Sequence, residues 1–115
     1  MYVILWQFDV EPAHTAEFER IYGSAGRSAE FFRRSPDYRG THLLYDTEVP
    51  YRYVTFDHWT SKEAFQKFER EHAEEYQSLD ANFAAFSRHE KHLGTFVTSE
   101  GEGKGREVPE PAQNR

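Results

Sequence analysis

Cysteine is absent from the chain, and its absence excludes disulfide bonds, thiolate nucleophiles and cysteine-ligated zinc sites. Long apolar runs are absent too, since none approaches the roughly 20 residues that a membrane-spanning helix needs. No basic segment followed by an apolar one marks a secretory signal. The sequence therefore predicts a cytoplasmic protein with no membrane partner.

Basic residues are outnumbered: 14 Lys and Arg stand against 20 Asp and Glu, for a net charge of −6. A nucleic-acid-binding domain usually presents a basic stripe. The basic cluster of this chain consists of Arg33, Arg34 and Arg39, and Asp37 lies among them. We therefore expect no nucleic-acid partner.

Aromatic residues are what the chain has in abundance. They make up 17% of its 115 residues, and ten of them are Phe, although the mean hydropathy is only −0.89. A core of few, large side chains suits one small domain with a pocket or a partner. Residues 99–115 contain no aromatic residue and are rich in Gly, Pro and charge. We expect a domain at 1–98 and a flexible or extended C-terminal tail at 99–115.

Hydrophobic periodicity and turn residues predict the secondary structure. In chain order the predicted segments are a strand at 1–10, helices at 14–23 and 28–34, strands at 41–45 and 51–59, a long helix from Thr60, and a strand at 94–98. A start of the last strand at Glu90 is also compatible with the sequence. This order predicts an α+β, ferredoxin-like βαββαβ fold with a four-stranded antiparallel sheet and helices on one face. The first strand is apolar on both faces, so the second face of the sheet needs a cover.

The long helix has a clear beginning and a clear inward face. Thr60 and Glu63 fit a capping box, and a break near 78–80 is compatible with the sequence. Residues that are apolar or aromatic, together with one His, then recur at helical spacing. These residues are Phe65, Phe68, His72, Tyr76, Leu79, Phe83 and Phe86.

Several local patterns coincide: EFERIYG, FFRRSPDYRGTHLL, RYVTFDHWTSKEAF and HLGTF. Together they resemble the antibiotic biosynthesis monooxygenase (ABM) domain over residues 1–98. That family includes cofactor-free quinone-forming oxygenases, quinol monooxygenases and haem-degrading relatives. The resemblance implies a homodimer in which two sheets face each other as a dimeric α/β barrel, which would supply the missing cover.

Haem degradation in this family relies on an Asn on the first strand and on a Trp and a His on the long helix. An alignment without gaps places Trp6, Phe68 and Ser78 at those positions. None matches, which argues against haem degradation by that constellation. A gap in the helix would instead bring His72 or Tyr76 to these positions.

The candidate site residues lie on the first strand, at the strand-to-helix junction and on the long helix. We predict His72 as a general base and Tyr76 as a hydrogen-bond donor to an oxyanion. Half-buried packing is the alternative for both. The residues predicted to hold an aromatic substrate are Trp6, His58, Trp59 and Phe68. Asp57 and His58 are adjacent on a strand, so they face opposite ways and cannot pair.

The leading functional hypothesis is a cofactor-independent monooxygenase that oxidises a small phenol or quinol with dioxygen. No metal site is expected, because His89 and His92 have no third ligand, and no phosphate-binding loop for a nucleotide is present. The first alternative is a non-catalytic dimeric protein that binds a small hydrophobic ligand. The second is an RNA-recognition motif, which shares the topology, but the sequence before Tyr53 lacks that motif's basic-Gly pair.

Overall fold

The computed structural model describes residues 1–83 and 86–98, so the predicted tail at 99–115 lies outside the described residues. The elements in chain order are β1 (Tyr2–Val10), a 3-10 turn (Pro12–His14), α1 (Thr15–Tyr22), α2 (Arg27–Phe32), β2 (Tyr38–Tyr45), β3 (Arg52–Trp59), α3 (Lys62–Glu71), α4 (Ala73–Phe83) and β4 (Ser87–Val97).

The sheet has four strands in the order β2-β3-β1-β4, and each neighbouring pair is antiparallel. The central strands β1 and β3 pair from Tyr2 with Trp59 to Asp9 with Arg52. The predicted ferredoxin-like α+β class is confirmed. No helix in the described part of the chain has both the length and the apolar character that a membrane crossing requires.

The cap of α3 is one residue later than the capping box predicted. Ser61 is the N-cap, and its side-chain oxygen accepts a hydrogen bond from the Ala64 N–H at 3.1 Å. Thr60 is occupied elsewhere, because its N–H donates to the Asp37 carbonyl at 2.9 Å and its hydroxyl to the Asp37 carboxylate at 3.1 Å. These two bonds tie the strand-to-helix junction to the loop before β2.

The predicted long helix is divided into α3 and α4 at His72, and not near 78–80. His72 adopts φ −123° and ψ 29°, which ends α3, and its N–H still donates to the Phe68 carbonyl at 3.0 Å. The inward stripe is therefore not one continuous helical face. Of its last two members, Phe83 has a side chain outside the described part of the chain, and Phe86 follows α4.

Strand β4 is longer than the sequence predicted. It begins at Ser87 and pairs with β1 from Tyr2 opposite Val97 to Val10 opposite Ser87. Most of its residues are exposed, because it lies at the edge of the sheet. An exposed edge strand has little hydrophobic alternation, which is the signal that sequence analysis reads.

Two aromatic clusters fill the space between the sheet and the helices. The first contains Trp59, Phe32 and Phe68, and the second contains Phe8 and Phe18. Trp6 packs against both clusters. It therefore marks the place where the two halves of the core meet.

The other face of the sheet carries apolar side chains that no helix among residues 1–83 and 86–98 covers. By strand alternation and register, Val3, Leu5, Val54 and Phe56 lie on this face. Phe96, opposite Val3, is 52% exposed. We call this surface the open sheet face.

Candidate functional site

A cavity of about 70 Å³ lies between the sheet and the helices, where the two aromatic clusters meet. This volume is several times the roughly 10–15 Å³ that one water molecule needs on the same measure. The lining side chains are Trp6, Phe8, Tyr22, Ser28, Phe31, Phe32, Thr41, Thr55, Asp57, Tyr76, Leu79, Asp80 and Glu90. The walls are thus largely aromatic, with hydroxyl and carboxyl groups placed among them.

Strand alternation supplies the polar groups of the cavity floor. On β3, Tyr53, Thr55 and Trp59 are buried beneath the helices. Asp57 shares their face, because residues two apart on a strand point the same way. A carboxyl group thereby stands among core side chains in the middle of the sheet.

Asp57 is held by a short chain of hydroxyl groups. The Thr41 hydroxyl donates to the Asp57 carboxylate at 2.6 Å. A hydroxyl has one proton to donate, so the Tyr38 hydroxyl, which hydrogen-bonds Thr41, must be the donor of that second bond. The chain fixes one oxygen of Asp57.

Burial raises the pKa of Asp57 from 3.8 to about 6, although the Thr41 hydrogen bond opposes the change. Burial acts this way because it penalises the charged form of a carboxyl group. A carboxylate with this pKa is ionised at neutral pH and is a stronger base than an exposed aspartate. It is suited to accept a proton from a bound ligand.

Two tyrosine hydroxyls face the same cavity, one from α1 and one from α4. Burial raises the pKa of Tyr76, and the charges of Asp57 and Asp80 raise it further. Burial also raises the pKa of Tyr22, assisted by Asp80 and Glu90. Both hydroxyls therefore keep their protons at neutral pH.

Asp80 and Glu90 complete the lining from α4 and β4, and both are exposed residues at its rim. Burial raises the pKa of each carboxyl group, and Asp80 raises that of Glu90 further. Together with Asp57 they do not converge on one point. Among residues 1–83 and 86–98, no group of three or more His, Cys, Asp or Glu side chains could hold a metal ion.

Of the residues predicted from sequence, Trp6 and Tyr76 line this cavity. Trp6 lies on the floor, and its ring also contacts His92 of β4 with centroids 5.1 Å apart. Tyr76 contacts the rings of Phe31 and Phe32 at 5.9 and 5.7 Å. The structure therefore brings these two predicted residues together with Asp57.

His72 is outside the cavity lining. Its ring stacks on Phe68 with centroids 4.2 Å apart and meets the edge of Phe31 at 5.9 Å. Its Nδ1 is 3.1 Å from the Phe68 carbonyl oxygen. A carbonyl can only accept, so Nδ1 carries the proton in this contact. The break between α3 and α4 directs this ring along the helices and not toward Asp57.

The other three predicted residues also lie outside the cavity lining. Trp59 is completely buried and Phe68 is 3% exposed, both within the first aromatic cluster. His58 lies on the open sheet face, where its ring meets that of His42 at 5.3 Å. Burial, followed by the charge of His42, lowers the pKa of His58.

Sequence reasoning missed Asp57 as a site residue. It treated Asp57 only as the neighbour of His58, which faces the other way. The available signal was the alternation of β3, which places Asp57 in line with Tyr53, Thr55 and Trp59 on the helix-covered face. A carboxyl group at such a position is uncommon in a core and marks a candidate functional site.

A protein-family model described as antibiotic biosynthesis monooxygenase matches residues 1–78. A search of the curated proteins found no match.

Solved structures resemble the chain over most of its length. SnoaB from Streptomyces nogalater, a cofactor-independent oxygenase, is 26% identical with a TM-score of 0.67, covering 95% of this chain and 97% of SnoaB. A MhuD mutant with manganese protoporphyrin IX bound is 25% identical with a TM-score of 0.63, covering 85% of this chain and 94% of MhuD. The family match and the similarity to SnoaB support a monooxygenase-type function.

A protein of Deinococcus radiodurans that carries the same family description is 12% identical, with a TM-score of 0.69, and the match covers 88% of this chain and 95% of that one. At this identity the likeness concerns the fold alone.

Proposed function

This chain belongs to the antibiotic biosynthesis monooxygenase family, and from that premise we propose that it oxidises a small phenol- or quinol-type aromatic compound with dioxygen, without metal or organic cofactor. The observation that carries the proposal is Asp57, a carboxyl group with a raised pKa on the floor of an aromatic cavity. The similarity to a cofactor-independent oxygenase supports the same chemistry.

A cofactor-free route requires the substrate itself to supply the electrons. Asp57 accepts the proton of a bound phenol or of an anthrone methylene, which leaves an electron-rich anion. The hydroxyl of Tyr76 donates a hydrogen bond to the anionic oxygen and stabilises it. Trp6 and Phe31 hold the ring and exclude water.

The overall reaction balances without a further reductant. When an anthrone methylene is oxidised, the carbon loses two hydrogens and gains one oxygen atom as a carbonyl. The second oxygen atom leaves as water with those two hydrogens. The four electrons that dioxygen takes up all come from the substrate.

The base for this reaction was predicted from the sequence to be His72, with Tyr76 as donor. Tyr76 keeps its proposed role because it lines the cavity. The contacts of His72 with Phe68 favour Asp57 as the base instead. The two assignments differ in a measurable way, since each predicts a different inactive variant.

The test is oxygen uptake by metal-stripped protein with a panel of hydroquinones and anthrones. We expect consumption of one dioxygen per quinone formed from an anthrone. Activity that depends on a stoichiometric metal, flavin or haem would contradict the cofactor-free mechanism. Tight ligand binding without oxygen uptake across the panel would favour the alternative function, a dimeric binding protein for hydrophobic ligands.

We expect kcat/KM for a neutral phenol to rise with pH through about 6, because Asp57 must be ionised to accept a proton and burial raises its pKa to about 6. The titratable groups that face it across the cavity are Tyr22, Tyr76, Asp80 and Glu90. The measurement is the pH–rate profile of wild type against the Asp80→Asn, Glu90→Gln double variant. If the rise near pH 6 were absent in the double variant, it would report the ionisation of Asp80 or Glu90, and not that of Asp57.

Members of this family are commonly dimeric and bind small ligands, and we propose that the open sheet face pairs with that of a second copy. Burial of its apolar side chains would favour association by roughly 25 cal/mol per Å², before the entropic costs of association.

Light scattering at micromolar concentration should therefore give a dimer, and Phe56→Arg should give a monomer. Val49→Arg is the matched control, because Val49 is an exposed residue between β2 and β3. A monomeric wild type would contradict the proposal.

A further inference from the structure

We propose that Asp80 and Glu90 make the cavity selective for uncharged aromatic ligands and against aromatic carboxylates. This inference rests on the proposed function, because it concerns the substrates of the same cavity. It assigns a specificity role to two residues at the cavity rim that the oxidation itself does not use.

The charges that line the cavity are all of one sign. Its ionisable lining groups are Asp57 on the floor, Asp80 and Glu90 at the rim, and the hydroxyls of Tyr22 and Tyr76. Among the side chains that the structure describes, no Lys, Arg or His belongs to this lining. A ligand carboxylate placed there would meet no counter-ion among these lining groups.

Two arginines of the helical layer lie in a neighbouring cleft and do not supply one. Phe31 and Leu79 line the cavity and also line a neighbouring cleft that contains Arg27 and Arg34. Arg34 donates to both oxygens of Glu75, each at 2.7 Å, so its charge is already paired. Arg27 also lines this cleft and is not part of the cavity lining.

The rim carboxyl groups already disfavour negative charge around them. Burial raises the pKa of Asp80, and burial followed by the charge of Asp80 raises that of Glu90, although His89, which is not part of the lining, opposes the change in Glu90. The same two charges, Asp80 before Glu90, help to raise the pKa of Tyr22. A further anion would add to this repulsion, since like charges repel one another. A neutral ligand would meet no such repulsion.

The experiment compares two ligands that differ in charge and little else: 6-hydroxy-2-naphthamide and 6-hydroxy-2-naphthoate. Isothermal titration calorimetry at pH 7.5 and low ionic strength measures both. We expect wild type to bind the amide at least about tenfold more tightly than the carboxylate, because like-charge juxtaposition opposes the latter. The Asp80→Asn, Glu90→Gln variant should bind the carboxylate several-fold more tightly and the amide within about twofold of wild type.

The matched control is Glu71→Gln, Glu74→Gln, which changes net charge equally at exposed helical positions outside the cavity. It should leave the selectivity unchanged. Equal binding of both ligands by wild type, binding of neither, or an equal effect of the control would overturn the inference. Oxygen uptake is measured separately, so the two proposals can fail independently. Selective binding without turnover would contradict only the oxygenase proposal. Turnover without selective binding would contradict only this inference.

Discussion

Asp57→Asn is expected to reduce oxygenase turnover by about 10²–10⁴-fold, the usual loss when a general base is removed. Asn keeps the size of the side chain and can still accept the hydrogen bond from Thr41, but it cannot take a proton. The measurement is steady-state oxygen uptake with the best anthrone or hydroquinone of the panel. The variant should also lose the rise of kcat/KM through pH 6.

The same substitution should stabilise the protein at neutral pH. Burial raises the pKa of Asp57 from 3.8 to about 6, so the folded state holds the proton more tightly than the unfolded state. Protonated Asp57 therefore contributes its full stabilisation at pH values below its pKa in the unfolded state. This stabilisation is lost as pH rises through the pKa of Asp57 in the folded state. At 1.36 kcal/mol per pKa unit, the loss amounts to up to about 3 kcal/mol.

Urea unfolding at pH 4 and pH 7.5 tests this linkage. The free energy of unfolding of Asp57→Asn should increase relative to that of wild type as pH rises between these values. A constant difference would show that the pKa of Asp57 is not raised in the folded state. An inactive but stabilised variant is the outcome that a merely structural Asp57 could not produce.

His72→Ala is the control that separates the two candidate bases. We expect it to retain turnover within about an order of magnitude of wild type, since it lies outside the cavity lining and removes no proton acceptor from it. If His72→Ala were inactive and Asp57→Asn active, the sequence-based assignment of the base would be right, and the assignment to Asp57 would be wrong.

Phe68→Ala is expected to lower the free energy of unfolding by about 3–5 kcal/mol, through lost burial and the cavity left behind. Phe68 is 3% exposed. Its ring contacts those of Phe31, Trp59 and His72 at centroid distances of 5.1, 5.4 and 4.2 Å. The substitution therefore removes ring contacts at the centre of the first aromatic cluster.

Urea unfolding of Phe68→Ala against Val49→Ala measures this loss, because Val49 is exposed and its truncation should change stability by less than about 0.5 kcal/mol. Near-native stability of Phe68→Ala with loss of ligand binding would mean that Phe68 is a wall of the ligand site, as the sequence suggested. Its position outside the cavity lining predicts the opposite.

The sequence by itself determined the fold class, because hydrophobic periodicity and turn residues are local properties that survive without knowledge of contacts. The alternation of β1 and β3 and the order of elements were enough to predict a ferredoxin-like sheet with helices on one face. The sequence also placed Trp6 and Tyr76 between the layers, where they line the cavity, because large aromatic residues on the core-facing side of an element lie near the space between sheet and helices.

The tertiary structure alone decided which polar group faces the cavity. His72 stood out in the sequence because it interrupts an apolar stripe, but one residue with φ −123° divides the helix there and directs the ring onto Phe68. Asp57 drew no attention beside His58. Its raised pKa depends on burial beneath helices that are distant in sequence, and periodicity reports which face a residue takes but not what covers that face.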